Sequence, residues 1–292
     1  MAREAWGRWG PDDERGAVNL IGPAETRAAA ALVETGRVIG LAQPLGPATR
    51  TAPHRARPAR LMNRDGGDYA AGARRPDGFQ FAEDTLIMPA HSGTHLDALA
   101  HVWYEDELYN GHPGSGTRST TGARRCGIET VPPIVTRGVL LDAVAHLGRA
   151  CGPGEALGVD LVRALYPDPR PGDVVLVRTG WVERPHADDA AYFATEPGPD
   201  VEAGVWLAGQ GVAVLGADNF AVEVQPSPDG DRGFPLHRRL LRDHGVPLLE
   251  GLVLAELAEL IGPAGRTTFL FVGAALPVVG GTAGPMHPVA VL

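Results

Sequence analysis

The chain has 292 residues, 44% apolar and 21% charged, a globular composition that excludes fibrous and wholly disordered classes. A formal net charge of -9 repels polyphosphate and argues against a nucleic-acid partner. All 26 cationic residues are arginine and none is lysine, which excludes Schiff-base chemistry and a P-loop lysine.

The opening twenty residues mix acids, arginines and glycines, and no apolar run reaches signal-peptide or membrane-spanning length. The expectation is a cytoplasmic protein with no membrane partner. Residues 1–36 read as an N-terminal extension with one helix, from Pro23 to about Thr35, opened by Gly22-Pro23 and closed by Gly36. Asp12-Asp13-Glu14 within it reads as a solvated acidic face. Residues 37–292 read as one domain.

Within that domain, short apolar runs near glycine or proline predict strands at Val38–Ala42, Thr85–Met88, Gly138–Leu141, Val174–Arg178, Val212–Leu215, Val246–Leu249 and Phe269–Val272. Helical patterns lie at Val159–Leu165, Val201–Gln210, Pro235–His244 and Leu254–Leu260. The class is therefore α/β, with too many connections lacking a helix for a regular doubly wound sheet. Loops are expected at Gln43–Pro58, Asn63–Gly78 and Asn110–Arg125, in keeping with 39 glycines and 26 prolines. Loops of that length in a compact domain are usually functional, mobile or part of an interface. Cys126 and Cys151, with no CxxC spacing, read as core residues.

Chemistry concentrates in His91-Ser92-Gly93-Thr94-His95-Leu96-Asp97-Ala98-Leu99-Ala100-His101. Imidazole nitrogen and carboxylate oxygen are ligands that zinc accepts in catalytic sites, where three protein ligands leave a position for water. His91 and His95 have one-helix-face spacing, but Gly93 and the strand-like lead-in from Thr85 argue for a strand end followed by a tight turn. Further along, His237 shares a helical stripe with Leu240, Leu241 and His244, so it points into protein as a ligand or as a buried hydrogen-bonded histidine. Glu250 ends an apolar strand before Gly251, where a carboxylate needs a metal or an ion-pair partner. His112 and His287 each precede a proline in a loop and read as minor candidates. Trp103, Tyr104 and Tyr109 line a pocket or pack the core.

The eleven-residue run resembles the HxGTHxDxxxH signature of the metal-dependent cyclase family, which includes bacterial kynurenine formamidase and isatin hydrolase. Gly172–Gly180, Gly216-Ala217-Asp218, Leu236-His237-Arg238, Leu248-Leu249-Glu250 and Leu276-Pro277 are similar to later family landmarks in the same order. The resemblance covers nearly the whole chain from about Gly36, and the opening Trp9-Gly10-Pro11-Asp12-Asp13 is similar to a longer, N-terminally extended branch. It implies a swivelling β/β/α fold with a mixed β-sheet core and flanking helices over residues 37–292. His91, His95 and Asp97 would be metal ligands and His101 the proton shuttle. His237 and Glu250, at a slightly longer spacing than in the formamidases, would complete a two-metal site. The cofactor implied is one or two divalent ions, zinc favoured and manganese possible, in a homodimer or homotetramer acting on a small-molecule substrate. The formamidases carry a pocket tryptophan where Leu45–Phe79 has none, which counts against kynurenine formamidase activity in particular. The implied reaction is hydrolysis of a cyclic or acyl amide, or of a lactone. A polyketide-type ring cyclase or dehydratase and a non-catalytic metal-binding relative are the alternatives.

Overall fold

The computed structural model describes residues 5–231 and 233–292. Its strands, in chain order, are β1 (Val38–Gly40), β2 (Ala59–Arg64), β3 (Glu83–Ile87), β4 (His95–Asp97), β5 (Ile134–Asp142), β6 (Val174–Arg178), β7 (Val214–Ala217), β8 (Leu248–Glu250), β9 (Thr268–Gly273), β10 (Ala283–Pro285) and β11 (Val289–Val291), with shorter pairings between them. Nine of these form one mixed sheet in the order β1-β11-β9-β5-β6-β7-β8-β4-β10. The four central strands, β5 to β8, run parallel, and the strands on both sides pair antiparallel.

The sequence explains the parallel centre. Val174-Val175-Leu176-Val177 is apolar at every position because both faces of β6 are covered. Val175 and Val177 join one buried cluster with Tyr166, Leu207 and Leu241, while Val174 and Leu176 join a second with Leu257, Phe269 and Phe271. Helices at Val159–Leu165, Val201–Gly209 and Pro235–His237 carry the first cluster, and Ala255–Ile261 carries part of the second. Cys126 and Cys151 are both buried and free.

Four expectations need correction. The segment expected as strand Thr85–Met88 forms β3 but does not enter the sheet. It pairs only with β2, Ala59 opposite Ile87, and all its residues are exposed, since Glu83-Asp84-Thr85 has no apolar face to bury. The first helix stops at Ala30, because Thr35 and Gly36 turn away to donate to Leu292 O. The expected helix over Pro235–His244 is α-helical only to His237 and continues as a π-helix over Arg238–His244. Asp12-Asp13-Glu14 is not a uniformly solvated face: Asp13 accepts from Gly16 N, Asn19 and the Tyr109 hydroxyl, and Glu14 pairs with Arg125 and Cys126 N.

The N-terminal residues are woven into the rest. Trp6 Nε1 donates to Arg242 O at 2.8 Å. Gly16, at φ +58°, lets its backbone abut Gly245 so closely that a Cβ would sit 2.1 Å from Gly245 O.

Candidate metal centre

The histidine run spans β4, with one turn before the strand, at Gly93, and a second after it. Gly93 makes the turn at φ +60°, where a Cβ would strike Leu45 Cδ2 at 2.6 Å. Strand alternation then puts His95 and Asp97 on one face with Leu96 turned into the core behind them. Glu250 of β8 is the cross-strand partner of His95. Gly251, at φ +67°, follows it, and a Cβ there would lie 2.6 Å from Gly93 O. The two turns therefore touch through their glycines, and Thr94 Oγ1 ties them by donating to Gly251 O at 2.6 Å. A tight turn after β4, with His101 N bonded to Ala98 O, brings His101 back to the same point.

Five of the expected site residues thus converge on Asp97. Its Oδ1 lies 3.4 Å from His91 Nε2 and 3.5 Å from His95 Nε2, and its Oδ2 lies 3.7 Å from His101 Nε2 and 3.8 Å from His237 Nε2. Glu250 bridges His95 Nε2 at 3.1 Å and His237 Nε2 at 3.0 Å. Among the described residues, two triads have ligand atoms close enough to share an ion: His95, Asp97 and Glu250, and His91, Asp97 and His101. Both carboxylate oxygens of fully buried Asp97, and His95 Nε2, lack a hydrogen-bond partner. Buried polar atoms are nearly always satisfied, so an arrangement that leaves three unsatisfied at one point fits a cation.

The electrostatics separate the histidines by burial and partner. Burial, with Asp97 pulling the other way, lowers His91 to about 3. Burial likewise lowers His101. His95 and His237 are carried up to about 10 against the effect of burial, by the carboxylates of Asp97 and Glu250 around His95 and of Glu223 and Glu250 around His237. Burial opposes the Asp97 charge, but the surrounding imidazoles hold its carboxyl well below the usual range. Glu250 is lowered by His237 and His95 against burial and Asp97. A proton thus occupies the carboxylate cage where a cation would compete for it.

Glu223 completes the site and was not anticipated. Buried, it accepts from Leu236 N, His237 N and His237 Nδ1, the last at 2.6 Å. This aims His237 Nε2 at Glu250. The sequence signal was an acid between buried valines in Val222-Glu223-Val224, a costly placement without partners.

Beside the cluster, a cleft is lined by Arg50, Arg55, Tyr192, Phe193 and Phe220 together with His91 and His95. These aromatics were also missed. Trp103, Tyr104 and Tyr109 do not line it: Trp103 packs over Gly114, Tyr104 donates to Asp243, and Tyr109 is core. His112 bonds Asp13 O, and His287 lies against Gly40, both away from the cluster. Asp218 accepts from Thr179 and Gly180 and so joins two of the sequence landmarks structurally.

A mixed sheet whose neighbouring strands β4 and β8 present a caged aspartate among four imidazoles and a second carboxylate defines a protein built to hold a divalent cation. The family model described as "Putative cyclase" matches residues 39–224, and the chain belongs to that family. The chain superposes on the crystal structure of a protein described as a novel cyclase with TM-score 0.91 and 35% identity, covering 98% of this chain and 99% of that one. Isatin hydrolase of Roseibium aggregatum is 26% identical over 225 residues, 74% of this chain and 77% of its own. A structure of an isatin hydrolase bound to the product analogue thioisatinate shares the fold at TM-score 0.65 and 20% identity, covering 93% of this chain and 99% of that one.

Proposed function

We propose that this protein is a metal-dependent hydrolase of a cyclic or acyl amide, or of a lactone. The observation that carries the reading is Asp97, with both oxygens buried, unbonded and surrounded by His91, His95, His101, His237 and Glu250. The resemblance would assign His91, His95 and Asp97 to a first ion and His237 and Glu250 to a second, while the ligand atoms that stand close enough to share an ion are those of His95, Asp97 and Glu250 and those of His91, Asp97 and His101, so that Asp97 would serve both sets. The donor set of nitrogen and oxygen suits zinc and, next, manganese. The likeness to isatin hydrolase, a relative named for hydrolysis, supports the reaction class.

A divalent cation in this cage supplies acidity to water, moving its pKa from ~15.7 toward ~7, and polarises a carbonyl. The residues do the rest. Asp97 on β4 and Glu250 on the neighbouring strand β8, grouped with His95, would hold the cation and so orient the carbonyl that it polarises. His101 is kept neutral by burial and can therefore accept a proton at neutral pH. Its Nδ1 meets His91 Nε2 at 3.0 Å, which leaves Nε2, 3.7 Å from Asp97 Oδ2, to take a proton and return it to the leaving nitrogen or oxygen. Tyr192, Phe193 and Phe220 narrow the approach and exclude water.

The test is metal content and turnover of His101→Ala side by side. The expected result is an unchanged metal load with turnover down by roughly 10²–10⁴. Loss of metal in this variant would make His101 a ligand, as its grouping with His91 and Asp97 allows, and would remove the shuttle role. Finding no transition metal in protein purified without added metal would overturn the reading. The "Putative cyclase" description of the family favours ring closure as the second reading. Isatin-like, formanilide and imide substrates separate the two, since a pure cyclase leaves all of them intact.

A further inference from the structure

Arg55 stands beside the metal cage without a counterion of its own. Its Nη1 donates to His91 O at 2.8 Å, and its guanidinium carbon lies 5.1 Å from the Phe220 ring centroid. Among the described residues no carboxylate comes within ion-pair distance of it. The charges that it senses are Glu250 and Asp97, both committed to the cage. The other arginine of the cleft, Arg50, stacks 4.9 Å from the centre of Tyr192 and lies 3.7 Å from Asp189, a carboxylate that Arg57 also claims. Two arginines sharing one aspartate add no negative charge for Arg55. Once a divalent cation offsets Asp97 and Glu250, the cleft is left with uncompensated positive charge on one wall. The other wall is aromatic, Phe193 meeting Phe220 edge to face at 4.7 Å.

The Phe220 ring beside it confines the guanidinium, and its one hydrogen bond among the described residues, to His91 O, leaves other N–H groups of the fork for a planar anion. Such a fork is suited to a carboxylate. We infer that Arg55 is the specificity residue for a carboxylate carried by the substrate, separate from the carbonyl that reacts, so that the substrate class is an aromatic amide or lactone bearing an acid group. This rests on the hydrolase reading for the reaction but not for the binding. The competing role for Arg55 is to hold the His91 backbone in place, which would make it indifferent to the substrate's charge.

The full-length, metal-loaded protein separates these roles by calorimetric binding of benzoate and of the ortho, meta and para benzenedicarboxylates. The expected result is that at least one dicarboxylate binds roughly ten- to hundredfold tighter than benzoate, the range of one charge-assisted contact. Arg55→Gln should abolish that advantage, the dicarboxylates weakening more than benzoate, while metal content stays unchanged. Arg55→Lys, which keeps the charge and loses the fork, should retain part of it, and it carries the test should the glutamine variant fail to fold. No dicarboxylate advantage in the wild type, an advantage surviving Arg55→Gln, an advantage undiminished in Arg55→Lys, or equal weakening of benzoate and dicarboxylates would each overturn the inference. Failure of the hydrolase reading shows differently, as no turnover of any amide while the binding difference persists.

Discussion

Glu223 lies outside every motif, yet it governs the tautomer of His237. By accepting from Nδ1 it obliges Nε2 to face Glu250 and Asp97 without a proton once a cation is bound. Glu223→Gln keeps one acceptor oxygen, but its NH2 group faces one of the donors that Glu223 satisfies with its other oxygen, so the grip on the imidazole weakens. Metal affinity should fall roughly 10–100-fold, as read by competition against a chromophoric chelator. An unchanged affinity would place His237 outside the metal's reach. Glu196 makes a different prediction. It is fully buried, and burial, only partly offset by the Phe220 and Ala221 amides, pushes it up to about 8 from 4.5. Its folded value lies above its unfolded one, so stability is full below 4.5 and falls as pH rises toward 8. Glu196→Gln should raise the melting temperature by several degrees at about pH 9 and leave it unchanged near pH 4. A pH-independent shift would refute the burial argument. At this scale the sequence was legible where chemistry is dense: the eleven residues from His91 to His101 announce a cage. Glu223 was silent because only the fold of the segment before His237 turns its carboxylate onto that imidazole, and Phe193 and Phe220 because the histidines and arginines that they face come from the first third of the chain.

Among the elements, those legible in advance are the ones whose surroundings are uniform. Val174–Arg178 and Val159–Leu165 match their expected bounds, the first because both faces are buried and the second because one apolar stripe suffices. Elements that answer to distant chain segments were less legible. The first helix yields to the C-terminal carbonyl at Leu292, and the turn at Pro235–His244 relaxes into a π-helix, which winds more residues into each turn. That extra winding takes up length between His237 and Glu250, and the two side chains still meet at 3.0 Å. The glycine contact between the Gly93 and Gly251 turns is the most exacting local feature. Gly251→Ala must adopt left-handed backbone, at about 1–3 kcal/mol, and push Gly93 O aside. The expected outcome is a lower melting temperature together with weaker metal retention after dialysis, because both ligand-bearing turns move. Loss of stability with metal affinity intact would show that the turns are independent.

At the scale of the molecule, the β2–β3 hairpin is the feature without internal support. Leu61, Met62, Leu86 and Ile87 are 41% to 58% exposed, and an isolated two-stranded hairpin is marginal in water. A second copy of the chain is the cover expected from the homodimer or homotetramer reading. Light scattering should give a multiple of 30.6 kDa, and Leu61→Asp combined with Leu86→Asp should shift it toward the single-chain mass. A wild type that scatters as one chain would remove the self-association. The polar lead-in Glu83-Asp84-Thr85 was the local sign that this strand stands outside the sheet, but what covers Leu86 and Ile87 is not written in the local pattern.

The position of β4 in the sheet has a kinetic consequence. Three residues long, it lies next to the edge strand β10, itself ending in Pro285, and far from the deeply covered pairing of β5, β6 and β7. Strands so placed open by sub-global fluctuation at a lower free energy than the unfolding of the centre. Because His95 and Asp97 are two of its three residues, each such opening takes the cage apart without disturbing the core. Exchange of an ion held there would then be timed by the breathing of one sheet edge, and binding would in turn slow the fluctuation through which the ion leaves.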